Sequence, residues 1–392
     1  MHRAGWFMPM ALAVSGAWAQ ASASASDSTN ASESAGTGVR FSGHLRSVLL
    51  HSSIPDPGGQ PYTLAANRLR LEWKGMLSPS LTMEVQYDHE LAVGARAGIS
   101  LLQQGAQLPV RTWWDLEDSY AQGPNHLAQH RLHRGNFTWS SGATDLRLGR
   151  QRVAWGTGRF WSPLDLLNPP SATALESSER QGVDALLVEH RPTSQAALSL
   201  VHAPVRGVRS DNTLLRWRDN RAGVDYALTG GQSADGRLAG MDLAGQWGGV
   251  GWRAEATWTK PRSGSAYRRW LVGWDYAFAN TLTLSAELFH DGSGQADPAR
   301  HGLPALLAGI RQTVGRKYLG LYASYDLTPL LKWTNWLAVN LDDHSRYFSP
   351  RLTWSARPDL DLSLGLQSFA GRPGTEFRLR KDLVFAQAQW YF

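Results

Sequence analysis

The chain has 392 residues, 39 Lys+Arg against 33 Asp+Glu, no cysteine, and 18 Trp, 11 Tyr and 11 Phe. The missing cysteine excludes disulfide scaffolds, thiolate metal sites and thiol catalysis. The formal charge of +6 is spread over mixed signs without a like-charge block, so no nucleic-acid partner is predicted.

Residues 1–19 have the build of a secretory signal. His2 and Arg3 lead, an apolar run covers Trp6 to Val14, and Ala17-Trp18-Ala19 places small residues around a cleavage point before Gln20. Residues 20–38 are small, polar and low in complexity, the composition of a disordered periplasmic leader. No later run of 18 apolar residues exists, so no transmembrane helix is predicted.

From 39 to 392 the pattern has period two. Leu69, Leu71 and Trp73 alternate with Arg68, Arg70, Glu72 and Lys74. Leu81, Met83, Val85 and Tyr87 alternate with Thr82, Glu84, Gln86 and Asp88. Leu360, Leu362, Leu364 and Leu366 alternate with Asp361, Ser363 and Gln367. A helix would scatter these residues around its circumference, whereas a strand keeps them on two faces. Strands are predicted near 40–51, 64–77, 81–90, 131–140, 145–154, 183–190, 195–203, 212–219, 223–231, 237–247, 250–258, 267–278, 281–290, 316–327, 331–341, 346–356, 359–369 and 379–392. That makes 18, or 16 if the less regular pair 212–219 and 223–231 is loop.

Short connections such as Ser78-Pro79-Ser80, Gly248-Gly249 and Arg357-Pro358 alternate with long ones at 91–131, 155–182, 291–315 and 370–378. Short turns at one end and long loops at the other, with a polar average hydropathy and abundant aromatics, predict an all-β fold. It is a single transmembrane antiparallel β-barrel over 39–392, with periplasmic turns and external loops.

An Arg or Lys turned to midplane lipid costs roughly 2–4 kcal/mol. The polar faces carrying Arg68, Arg70, Glu72, Lys74, Glu84, Arg147, Arg253, Glu255, Glu287 and Asp361 are therefore predicted to form the lumen wall. They line it as a wet charged surface or brace it as a salt-bridge lattice.

One segment is not ordinary strand and turn. Leu146 to Pro170 ends a strand and opens a long loop that returns through Glu179-Arg180-Gln181-Gly182-Val183-Asp184. Gly156 and Gly158 allow sharp turning, and Asn168-Pro169-Pro170 stiffens the chain. Leu164, Leu166 and Leu167 need an apolar partner, and folding back into the lumen supplies one. The block Gly149-Arg150-Gln151, Trp155-Gly156, Asn168-Pro169, Glu179-Arg180 and Gly182-Val183-Asp184 resembles the recurring block of alginate-export-like outer-membrane barrels. That resemblance implies an inward-folded loop near 155–182 that narrows the pore, with Arg150, Arg152, Trp155, Arg159, Asp165, Glu179, Arg180 and Asp184 around the constriction. The plainer role for Arg150 and Arg180 is an anchor, paired with Glu179 or Asp184.

Segment 297–310 carries helix-start chemistry. The last ten residues alternate again, with Val384, Ala386, Ala388, Trp390 and Phe392 on one face. A final strand ending in Phe resembles the closing strand of Gram-negative outer-membrane barrels, where Trp390 and Phe392 would form an assembly signal read by the barrel-assembly machinery.

The function predicted is an outer-membrane channel for diffusion or export of a polar solute, a small molecule or an anionic oligosaccharide. Its surroundings would be outer-membrane lipid and lipopolysaccharide, and neither cofactor nor metal nor catalytic residue is implied. The alternatives are a barrel hydrolase acting on lipid or polysaccharide, and a plugged structural or polysaccharide-docking barrel.

Overall fold

The computed structural model describes residues 38–52, 61–95, 112–175, 180, 182–206, 211–302 and 312–392. The signal segment 1–19 and nearly all of the 20–38 leader lie outside the described residues, as do Glu179 and 303–311.

Nineteen strands form among the described residues. They are β1 (Gly38–Ser52), β2 (Tyr62–Ser78), β3 (Leu81–Gly94), β4 (Glu117–Gly123), β5 (His126–Ser141), β6 (Thr144–Gln151), β7 (Val183–His190), β8 (Ala197–Ala203), β9 (Asn212–Arg221), β10 (Val224–Ser233), β11 (Gly236–Trp247), β12 (Val250–Pro261), β13 (Tyr267–Ala277), β14 (Thr283–Asp291), β15 (Lys317–Thr328), β16 (Leu331–Asn340), β17 (Arg346–Arg357), β18 (Leu360–Ala370) and β19 (Leu383–Tyr391). The strands pair in antiparallel chain order, except that β3 pairs directly with β5 and β4 adds to the other edge of β5 outside the ring. The last strand pairs with both β18 and β1, so the sheet closes on itself as an 18-stranded barrel. The pair β9–β10 is regular strand and settles the count at 18.

Beyond Tyr391 the closure extends by one residue. Phe392 N–H donates to Gly43 O at 3.0 Å and Gly43 N–H to Phe392 O at 2.9 Å. Only a residue without Cβ fits at 43, because a Cβ there would stand 2.7 Å from the Phe392 ring and 2.5 Å from Arg70 O. The Trp390 indole N–H donates to Asp359 in the neighbouring short turn at 2.9 Å.

Side chains sort by parity. Outward rows are apolar and exposed: Leu45, Leu49, Leu148, Leu284, Leu352, Leu364 and Val384. Inward rows carry the charges, and Arg68, Arg70, Arg253, Glu255 and Glu287 are all buried. The two ends also differ. Both described termini and the short turns share one end, and the long connections share the other.

Strand length varies round the ring. The second and fifth strands have 17 and 16 residues, whereas β6, β7 and β8 have only 8, 8 and 7. The extra strand corrects the reading of 91–131 as loop throughout. Glu117–Gly123 lies against the upper half of β5, with its register broken between Ser119 and Ala121. It uses a strand edge that β6 is too short to reach. In the described part of segment 297–310, residues 297–302, a 3-10 turn forms at Pro298–Arg300, capped by Asp297 accepting from Ala299 N–H at 3.0 Å.

Candidate functional site: a loop bound inside the lumen

After β6 the chain turns inward. Residues 152–175 run through the lumen, held by two wall carboxylates. Glu255 on β12 accepts from five groups. Its Oε1 takes Thr157 N–H, Thr157 Oγ1–H at 2.9 Å and Gly158 N–H at 2.8 Å, and its Oε2 takes Ser162 Oγ–H at 2.7 Å and Leu164 N–H at 3.2 Å. Glu287 on β14 accepts from Arg159 N–H at 2.7 Å and Phe160 N–H at 3.0 Å, while Arg253 donates to it from the wall. Backbone N–H groups turned away from any sheet need such partners, and a carboxylate makes the stronger kind of bond.

Glycine is needed at 156 and 158 for room rather than for a left-handed backbone. A Cβ would come within 1.7 Å of Ser162 Oγ in the first case and 1.8 Å of Trp161 O in the second.

The apolar residues of the loop fill the spaces between these bonds. Leu164 and Leu167 pack with Val153 on Val183, Ala185, Val201, Ala203, Leu214 and Leu238, with Leu166 at the edge. Phe160 and Trp161 pack further round the ring on Leu271, Phe289, Tyr318 and Ala338. The loop then reaches β18 and β17, where Gln367 donates to Thr173 O at 3.3 Å and Arg351 donates to Leu175 O. Burial of these large side chains at about 25 cal/mol per Å² supplies the main drive for the inward fold.

The loop is also braced internally. The Arg180 guanidinium pairs with Asp165 and donates to Asn168 O at 2.8 Å, while Asn168 Oδ1 accepts from Val153 N–H at 2.7 Å. Arg152 lies near the same Asp165. Trp155 lies beneath the Arg216 guanidinium, 5.9 Å from ring centre to Cζ. Arg159 reaches Asp275 at 3.2 Å and stands over Tyr322. Of the eight residues named for the constriction, five, Arg152, Trp155, Arg159, Asp165 and Arg180, lie in the lumen loop and its return, and Glu179 lies outside the described residues.

Arg150 and Asp184 lie elsewhere. They face each other across β6 and β7, in step with the outward pair Leu148 and Leu186, and make a bidentate contact at 2.9 and 3.0 Å. A charge on that parity is expensive if it meets lipid. Here the segment before β4 covers it. Trp113 N–H and Trp114 N–H both donate to Asp184 at 2.9 Å, and Arg150 donates to Trp114 O and to Leu132 O. The pair lies on the outward face of the sheet, against the segment before β4, and not with the lumen loop.

Across the lumen from Glu255 and Glu287 stands the arc β1–β6. Its inward face carries Arg46, Arg68, Arg70, Lys74, Arg131, Arg134 and Arg147, which outnumber Glu72, Glu84, Asp88, Glu90 and Asp145. Some of these charges are internally paired. Arg70 and Asp88 are joined at 2.6 and 2.8 Å, both fully buried, and Arg131 meets Glu90 at 2.8 Å. Glu84 is shared by Asn136 at 3.2 Å and Arg134 at 3.6 Å, Glu72 accepts from Gln86, and Arg147 donates to Thr138. Asp361, on β18, accepts from Ser355.

No protein-family model matches the chain, and no curated protein matches it. Its fold is that of outer-membrane porins. OccK5 (OpdH) of Pseudomonas aeruginosa superposes with a TM-score of 0.58 at 10% identity over 90% of this chain and 97% of that one. OpdK of the same organism, solved with vanillate, gives 0.57 at 11% over 91% and 100%, and OccAB4 of Acinetobacter baumannii gives 0.56 at 8% over 91% and 98%.

Proposed function

We propose that this protein is an outer-membrane channel through which small polar solutes, organic anions foremost, diffuse past the loop 152–175. The observation that carries the proposal is the facing arrangement inside the lumen: a loop fixed to Glu255 and Glu287 on one wall, and an arginine-rich wall across from it. A polar, water-accessible lumen with an excess of cations steers anions and raises their local concentration without any chemical step. The vanillate held by OpdK is a small carboxylate of the kind such a wall would favour. An anionic saccharide, as the resemblance to alginate-export-like barrels implies, belongs to the same charge class. The predicted signal at 1–19 and the closing residues Trp390 and Phe392 support delivery to the outer membrane.

A second reading, a plugged barrel, draws on the depth at which the loop is buried: Phe160 is 0% and Leu164 1% exposed. Swelling of vesicles containing the full chain separates the two. A channel admits small carboxylates faster than neutral sugars of similar mass, whereas a plug admits neither.

A further inference from the structure

The wall is too short on one side, and something covers the shortfall. Eight residues at about 3.3 Å each, tilted by about 40°, rise roughly 20 Å, against an apolar band of roughly 25 Å. The strands β6 and β7, at 8 residues each, therefore end below the upper edge of that band. Directly at their upper ends lies the outward pair Arg150–Asp184, 3% and 2% exposed, with the backbone of Trp113 and Trp114 bonded onto it. The indoles themselves stay out, at 47% and 53% exposed.

The adjoining strand continues the same surface. Tyr120 on β4 is 54% exposed and bonds His89, which has the outward parity of Leu91 and Val93. Trp113, Trp114 and Tyr120 thus extend upward the outward apolar row of Leu148 and Leu186. Aromatic rings with a polar edge are the residues that settle at a bilayer interface.

We infer that the segment 112–116 is a lipid-contacting strap: it completes the bilayer-facing surface above β6 and β7, with Trp113 and Trp114 seated among the outer-leaflet acyl chains and headgroups. Asp184 is its positioning residue, gripping two consecutive N–H groups. The pair with Arg150 lets that carboxylate sit on the lipid side as part of a neutral, hydrogen-bonded unit. This inference rests on the reading of the chain as a membrane-embedded barrel.

The cysteine-free sequence makes the test direct. Trp113→Cys, Trp114→Cys and Leu148→Cys are each made in the full chain, spin-labelled and folded into phosphatidylcholine vesicles. Collision rates with oxygen, which concentrates in lipid, are compared with those of a water-soluble nickel chelate. The strap predicts several-fold oxygen preference at 113 and 114, as at 148. It also predicts that adding Asp184→Asn moves the labels at 113 and 114 toward the nickel reagent while leaving 148 unchanged. Nickel preference at 113 and 114 with oxygen preference at 148 overturns the strap and spares the barrel reading. Nickel preference at all three overturns both.

Discussion

Glu255→Gln is the sharpest perturbation of the loop. The carboxylate accepts from five groups, three on one oxygen and two on the other. An amide keeps one accepting oxygen. With that oxygen placed on the three-donor side, its NH₂ confronts Ser162 Oγ and Leu164 N–H. Two charge-assisted bonds at roughly 1.5–3 kcal/mol each are lost, and the three that remain become neutral ones. Ser162 can turn its hydroxyl to accept, returning about 1 kcal/mol. The net loss is about 2–5 kcal/mol, which raises release of the loop from β12 roughly 30- to several-thousand-fold. The barrel should survive, because Glu287 and the Asp165–Arg180 pair still hold the loop and the sheet closure lies far away. Single-channel recording in planar bilayers reads this out as frequent transitions to a higher conductance level. A folded Glu255→Gln protein with the conductance and noise of the parent would refute the claim that this carboxylate fixes the constriction.

Two further outcomes follow from the structure. Removing Phe392 deletes both backbone bonds to Gly43, whereas Phe392→Ala keeps them and loses only a ring that is 43% exposed. Urea unfolding from vesicles should therefore show the deletion to be the more damaging of the two, with Phe392→Ala costing about 1–2 kcal/mol. The external connection 371–382 carries a pH dependence through Glu376. Burial raises its carboxyl from 4.5 to about 7, against donors from Tyr318 and Asn340 at 2.7 Å. A carboxyl that binds its proton more tightly when folded stabilises most below about 4.5 and loses that contribution as pH climbs through about 7. A nitroxide at Arg372→Cys should thus become more mobile over that window, and Glu376→Gln should remove the change.

The barrel was legible because lipid and water sort side chains at every second residue, and the two sets of connections differ in length. Even the irregular pair at 212–231 followed this rule. The strand Glu117–Gly123 escaped because it is broken at Tyr120 and exists only to use an edge that β6 leaves open. Arg150 shows a different limit. Its parity with Leu146 and Leu148 was readable, but the cover that makes an outward arginine tolerable comes from the segment of Trp113 and Trp114, the latter 36 residues upstream. Glu255 and Glu287 fall on the predicted lumen wall, yet their roles as loop anchors leave no trace in the sequence. Their partners are mostly backbone N–H groups, which every residue but proline carries.

The most direct test of the whole account is the reversal potential of the purified protein in a planar bilayer under a potassium chloride gradient. A water-filled lumen whose cationic wall faces the anchored loop predicts a measurable conductance with chloride more permeant than potassium. A sealed bilayer, or a pore that prefers potassium, would contradict it.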